Sequence, residues 1–148
     1  MKQLLLIGGG HSHLSVLQDL AQSALPDTHV TLITPDPYQW YSGMLPGLIS
    51  GSYQPEECKI DLRPLVKQAN ITLIMDSVTG IDVDQQTIRL ANGKPLTYDT
   101  LSLDIGSTTD SSRLSISKKP VLAVKPLGQF IQDWNHFSHQ AISEQRLQ

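Results

Sequence analysis

The sequence predicts an α/β fold, a parallel sheet with helices packed on it and a small antiparallel meander inserted late in the chain. Three observations point to it. An apolar run from Lys2 to Ile7 is broken at once by Gly8-Gly9-Gly10 and followed by apolar residues at helical spacing. A second run rich in β-branched and apolar residues, His29 to Ile33, comes after a stop at Pro26-Asp27. Beyond Gly80, the apolar pairs Ile81/Val83 and Ile88/Leu90 are separated by Asp84-Gln85-Gln86 and followed by Asn92-Gly93, both hairpin turn chemistries.

Taken in order, the first 34 residues read as strand, glycine turn, helix and strand, a right-handed βαβ unit. The helix starts at His11 and carries Leu14, Leu17, Ala21, Ala24 and Leu25. From Pro35 to Lys59 the chain is rich in proline, glycine and aromatic residues without sustained periodicity. It is expected to be a long ordered loop with one helical turn over Met44 to Ile49, and loops of that length are more often functional than filler. Asp61 reads as an N-cap for a short helix that tolerates Pro64 in its first turn and shows Leu62, Leu65, Val66 and Ala69 on one face up to Asn70. Ile71 to Met75 is then the third parallel strand. The meander occupies about residues 79–98. Tyr98 to Ile105 is another strand, ending at Gly106. A polar, serine-rich connection runs from Ser107 to Lys119, Val121 to Val124 forms one more strand, and Leu127, Phe130, Ile131, Trp134, Phe137 and Ala141 define an amphipathic C-terminal helix. The expected division is a domain over 1–110 and a connection plus helix over 111–148.

The chain has 148 residues, 11 Lys and Arg against 14 Asp and Glu, and a formal net charge of −3. With no run of basic residues it offers no electrostatic footprint for nucleic acid. Hydrophobic residues at 39% and charged residues at 17% are those of a globular protein. The apolar run Leu4 to Ile7 is far too short for a membrane span or a signal peptide, so a soluble, cytoplasmic protein is expected. The single cysteine, Cys58, excludes an internal disulfide framework, a cysteine-rich zinc site and a Cys-x-x-Cys pair, and reads as a small buried side chain.

The strand-turn-helix at the start is the part that carries chemistry. A strand ending in Gly8-x-Gly10 with a helix opening at once aims the N–H groups of the helix N-terminus at an anion, most usefully a pyrophosphate. Gly8 permits the tight turn, and Gly10 lets a phosphate approach the backbone without a Cβ in the way. The third glycine of the usual G-x-G-x-x-G is His13, which predicts a helix set slightly farther from the sheet. His11 or Ser12 is suited to a hydrogen bond with phosphate or flavin, His13 to packing. The second strand ends at Thr34, where dinucleotide folds usually carry Asp or Glu for the ribose. Thr34 offers one hydrogen bond and no charge.

On these residues the chain resembles a known family. The stretches "LLLIGGGHSHL", "VTLITPDPYQWYSGMLPGLISG" and "YDTLSLDIGS" are similar to the opening half of the two-dinucleotide-domain flavoproteins, the pyridine nucleotide-disulfide oxidoreductase superfamily. Within it they most resemble the type II NADH dehydrogenase-like group, especially the flavoprotein portion fused to selenide, water dikinase. The resemblance runs from about Lys2 to about Phe137. It implies a Rossmann-like sheet with a β-meander insertion, incomplete relative to the two-domain flavoproteins. It implies FAD as cofactor, its pyrophosphate at Gly8, Gly9, Gly10, His11, Ser12 and His13, and its adenosine ribose at Thr34 and Pro35. The adenine is implied at the backbone of Val78, the isoalloxazine near Ser42, Gly43 and Met44, and the closing element at Gly106 and Ser107. The family's redox cysteine pair is absent, so disulfide reduction is excluded. No second G-x-G-x-x-G occurs in the 148 residues, so NAD(P)H is expected only through a second domain.

Other constellations are weaker. His11 and His13 lie two apart at a helix start and point in different directions, and His136 and His139 read as solvated, so no metal site is expected. Tyr38, Trp40 and Tyr41 either stack on flavin or adenine or anchor the long loop. Arg63 either meets a phosphate or forms a surface ion pair. No side chain is expected to act as acid, base or nucleophile, because the chemistry belongs to the cofactor. The expected function is the FAD-binding portion of a flavin-dependent NAD(P)H oxidoreductase passing electrons to a quinone-like acceptor. The alternative is a non-catalytic nucleotide-binding or interaction module on the same fold. A homodimer through the C-terminal helix is expected to cover apolar surface.

Overall fold

The computed structural model of the chain describes residues 1–110 and 121–145. Strand β1 (Lys2–Ile7) lies between β2 (Thr28–Ile33) and β9 (Thr100–Leu103), and β5 (Thr72–Ile74) flanks β2, so the main sheet has the order β5-β2-β1-β9. All three pairings are parallel: Leu4 sits opposite Val30 on one side and Thr100 on the other, and Thr31 sits opposite Thr72. Helix α1 (His11–Gln22) supplies the first crossover.

The unbroken apolar run Leu4 to Ile7 of β1 follows from burial on both faces. Leu6 points with Leu32 into a core closed by Leu17 and Leu20 of α1 and by Leu62 and Val66 from around helix α3 (Arg63–Gln68). Leu5 and Ile7, the alternate residues, point with Ile33 into a second core on the opposite face, where Ile88, Leu90 and Tyr98 cover them. Those residues come from the meander and its end: β6 (Val78–Asp82), β7 (Thr87–Leu90) and β8 (Pro95–Thr97) form an antiparallel sheet in that order. The meander thus takes the place of a layer of helices. Each large apolar side chain buried in either core contributes about 1.5–3 kcal/mol.

The chain divides into two compact units, Met1–Gln39 with Lys59–Ile105, and Trp40–Cys58 with the segment from Gly106 onward. The first holds the sheets just described. Strands β3 (Tyr38–Trp40) and β4 (Lys59–Asp61) pair as a two-stranded ribbon where the chain leaves and re-enters it. In the second unit a 3-10 turn at Ser42–Met44 runs into α2 (Leu45–Ile49), with Pro46 in its first turn. Helix α4 (Leu127–Gln145) buries Leu127, Phe130 and Ile131 against Trp40, Leu45, Leu48 and Leu122, with Trp134 at the margin. The Phe130 and Trp134 rings stack at 6.4 Å and Trp134 meets Phe137 at 6.2 Å.

Several expectations are corrected. Val121 to Val124 forms no strand, and the end residues are 55% and 47% exposed. The strand expected from Tyr98 starts at Thr100, because the Tyr98 N–H bonds to the Gln86 carbonyl at 2.9 Å and so belongs to the meander. The N-cap position of α3 is Leu62, not Asp61, although the Asp61 carboxylate still accepts the Arg63 N–H at 3.0 Å. Of the expected connection, residues 111–119 lie outside the described residues. The amphipathic helix buries Leu127, Phe130 and Ile131 inside its own unit.

Candidate functional site

The site is built where β1 turns into α1. Gly8 donates its N–H to the Ile33 carbonyl at 2.8 Å and takes φ +91, a conformation that L side chains rarely adopt. Gly10 is extended, caps α1, and donates its N–H to the Asp104 carbonyl at 3.1 Å. The first intrahelical bond runs from the Leu14 N–H to the Gly10 carbonyl at 3.0 Å. The N–H groups of His11, Ser12 and His13 therefore precede it and point out of the helix start, with no acidic residue in the first turn. That is the donor set of an anion cradle.

One of those three donors is already engaged by the protein. The His13 N–H bonds to Oδ2 of Asp104 at 3.0 Å, so a carboxylate from just beyond β9 rests against the first turn of α1. A Cβ built on Gly10 would fall on that carboxylate, and one built on Gly8 would fall on the Asp104 carbonyl. Both glycines are thus required by Asp104, a reason the sequence reading did not foresee.

The His13 ring is 1% exposed. Its Nδ1 lies 2.7 Å from the Gly8 carbonyl and its Nε2 lies 2.9 Å from Ser102 Oγ. A carbonyl only accepts, so Nδ1 carries the proton and Nε2 accepts from the Ser102 hydroxyl in the neutral ring. The ring fills the place of the third fingerprint glycine and ties α1 to β9. His11 points elsewhere, its Nδ1 lying 3.2 Å from Gln39 Nε2, so the two imidazoles do not converge.

Thr34 closes β2 at 5% exposure. Its N–H bonds to the Ile74 carbonyl at 3.1 Å and its hydroxyl donates to the Asp36 carbonyl at 2.8 Å, which leaves only lone pairs to offer a ribose. Pro35 beside it is exposed. Val78 opens β6 opposite Leu90, half-buried at the edge of the second core. Gly8 to His13, Thr34, Pro35 and Val78 all belong to the first unit. Ser42, Gly43, Met44, Gly106 and Ser107 belong to the second, where Ser42–Met44 form the 3-10 turn and Gly106 takes φ +76.

Arg63 makes the ion pair. It bonds Asp61 at 2.7 Å through Nη2 and donates from the same nitrogen to the Tyr38 hydroxyl at 2.8 Å. The Lys59 ammonium lies 4.6 Å from the Tyr38 ring centroid. Hydrogen bonding to Arg63 holds the Asp61 carboxyl below its usual range and pushes the guanidinium up in turn. Tyr38 and Trp40 serve as loop anchors, the first in this cluster and the second in the core of its own unit. Cys58 is buried, and burial, with Glu57 beside it, pushes its thiol up.

The residues missed by the sequence reading are Asp104 and Ser102. The signal was present in "YDTLSLDIGS", read as another strand, but nothing in a single sequence sets that strand beside the turn or pairs positions 91 apart.

No protein-family model matches the chain. A sulfide-quinone reductase of Aquifex aeolicus is 31% identical over 105 residues, which is 71% of this chain and 24% of that protein. The crystal structure of the sulfide:quinone oxidoreductase from the same organism superposes with a TM-score of 0.74 at 23% identity, covering 96% of this chain and 33% of that one. NDH2 from Plasmodium falciparum, solved in complex with NADH, superposes with a TM-score of 0.64 at 21% identity, covering 76% of this chain and 24% of its own. Fold and sequence match together make the chain similar to the flavin-binding domain of the pyridine nucleotide-disulfide oxidoreductase superfamily. It spans about a quarter to a third of the length of these relatives.

Proposed function

We propose that the chain is the FAD-binding portion of a flavin-dependent NAD(P)H oxidoreductase of the type II NADH dehydrogenase-like kind, working in the cytoplasm. The observation that carries this reading is the glycine turn: a strand ending at a glycine with positive φ, feeding a 12-residue helix whose first N–H groups have no intrahelical partner. The residues fit a dinucleotide diphosphate, because the donors are backbone N–H groups, the helix dipole favours an anion there, and no acidic residue lies within the first turn itself, the Asp104 carboxylate reaching it from beyond β9. When bound, the flavin would supply the redox chemistry, taking hydride from NAD(P)H and passing electrons to a quinone-like acceptor. The chain's own residues bind and orient. His11 and Ser12 would present N–H groups to the diphosphate, Thr34 a lone pair to the adenosine ribose, and Val78 its backbone to the adenine. Ser42, Gly43, Met44, Gly106 and Ser107 would meet the flavin end. The link to the portion fused to selenide, water dikinase rests on the motif resemblance alone. A non-catalytic nucleotide-binding module would share the cradle.

Gly10→Val is a poor test of the cradle, because its side chain would strike Asp104 before it reached a ligand. Ser12→Pro is a better one. Proline in the first helical turn removes only an N–H that the helix does not use, and Pro46 and Pro64 already occupy the corresponding turns of α2 and α3. The expected result is a chain that melts normally and binds FAD roughly 10–100-fold more weakly, the value of one hydrogen bond to a charged group. Equal affinity for parent and variant in a fluorescence titration would sink the assignment.

A further inference from the structure

In dinucleotide folds the second glycine of the turn is there so that a pyrophosphate can approach the backbone. Here that space is taken by the protein's own anion, since a Cβ on Gly10 would coincide with the Asp104 carboxylate and Oδ2 accepts the His13 N–H at 3.0 Å. The Asp104 main chain is pinned on both sides, its N–H to the Ile7 carbonyl at 2.8 Å and its carbonyl to the Gly10 N–H at 3.1 Å. Only the side chain is left to move. It is half-exposed, with a 72% exposed Ile105 after it, so rotation of the carboxylate outward meets little resistance.

Resting on the reading of the turn as a cradle, we propose that Asp104 guards it. Its carboxylate mimics a phosphate at the start of α1, and an incoming diphosphate must displace it or bear its repulsion. The guard lowers affinity for every phosphate ligand and weighs most against ligands with a terminal phosphate, whose charge is greater than that of the internal diphosphate ester of FAD. The class of ligand that passes most easily is therefore a dinucleotide, in which each phosphate is esterified, over a mononucleotide such as ADP.

Titration of the whole chain with FAD, ADP and riboflavin, before and after Asp104→Asn, tests this. The asparagine oxygen still accepts the His13 N–H while the charge is gone. Expected is FAD binding about tenfold tighter, the usual scale of a charge effect on one hydrogen bond at a helix terminus, with a larger gain for ADP and none for riboflavin. A purely structural role would show the reverse, weaker binding and a lower melting point. Should Asp104→Asn fail to fold, Asp104→Ser carries the same expectation. FAD binding to the parent that is unchanged or weakened by removing the charge overturns the guard and leaves the cradle standing. No FAD binding by parent or variant overturns both.

Discussion

At Gly10 the missing side chain is demanded by a neighbour inside the protein, and this makes a testable pair. Gly10→Ala places a methyl on the Asp104 carboxylate and is expected to cost about 1–3 kcal/mol, the usual range for overpacking. In an Asp104→Ala background the same change should be nearly free, and urea denaturation of the four chains measures the coupling. Simple additivity would show that the two residues do not touch. Ser102→Ala leaves Nε2 of the buried His13 without its donor and should cost about 1–3 kcal/mol by the same measurement. Cys58 offers a different readout: with burial holding the thiol protonated, iodoacetamide at neutral pH should label it only when the chain is unfolded. Sequence reading reached the turn itself because glycines at fixed spacing have a steric meaning. It found His13 as a departure from pattern and could not find Ser102, whose contact depends on which strand lies beside β1.

Among the elements, those with a strong local pattern were legible and those without were not. Strand β1 came out within its bounds, since a break at three glycines leaves little choice, and helix α1 starts at His11 as expected but ends at Gln22, before the Ala24 and Leu25 expected on its face. Val121 to Val124 shows how composition misleads: β-branched residues favour a strand only where a neighbouring strand or a core receives them, and these are half-exposed. Helix α4 was read as amphipathic, but its apolar face packs on Leu45 and Leu48 of α2 and on Trp40 and Leu122, contacts that no periodicity announces. Trp134→Asp sets a charge against Phe130 and Phe137 and should lower the melting midpoint of this unit. Light scattering on the same variant reads the homodimer: a halved mass would assign the outer part of this face, where Phe137 is 39% exposed, to a second copy.

For the whole molecule, the share of its relatives that the chain spans governs what it is expected to do. The 148 residues hold one glycine turn and no second, so the chain expressed by itself should bind flavin without oxidising NADH at a useful rate. Positioning two reactants supplies roughly 7–11 kcal/mol of a barrier, and the 148 residues contain no second glycine turn of the kind that would hold a nicotinamide. Rapid bleaching of the flavin on anaerobic mixing with NADH would refute this. The order β5-β2-β1-β9 has a consequence for how the molecule comes into being. Strand β1 has its first neighbour as soon as β2 is made, but its other edge stays bare until β9 is made, as the bond from the Gln3 N–H to Asp99, 96 residues on, makes plain. The same late arrival brings Asp104 and Ser102 to the turn. During synthesis the residues of β1 therefore wait for nearly the last of their unit, and the turn after β1 takes its final shape only when that unit has finished folding.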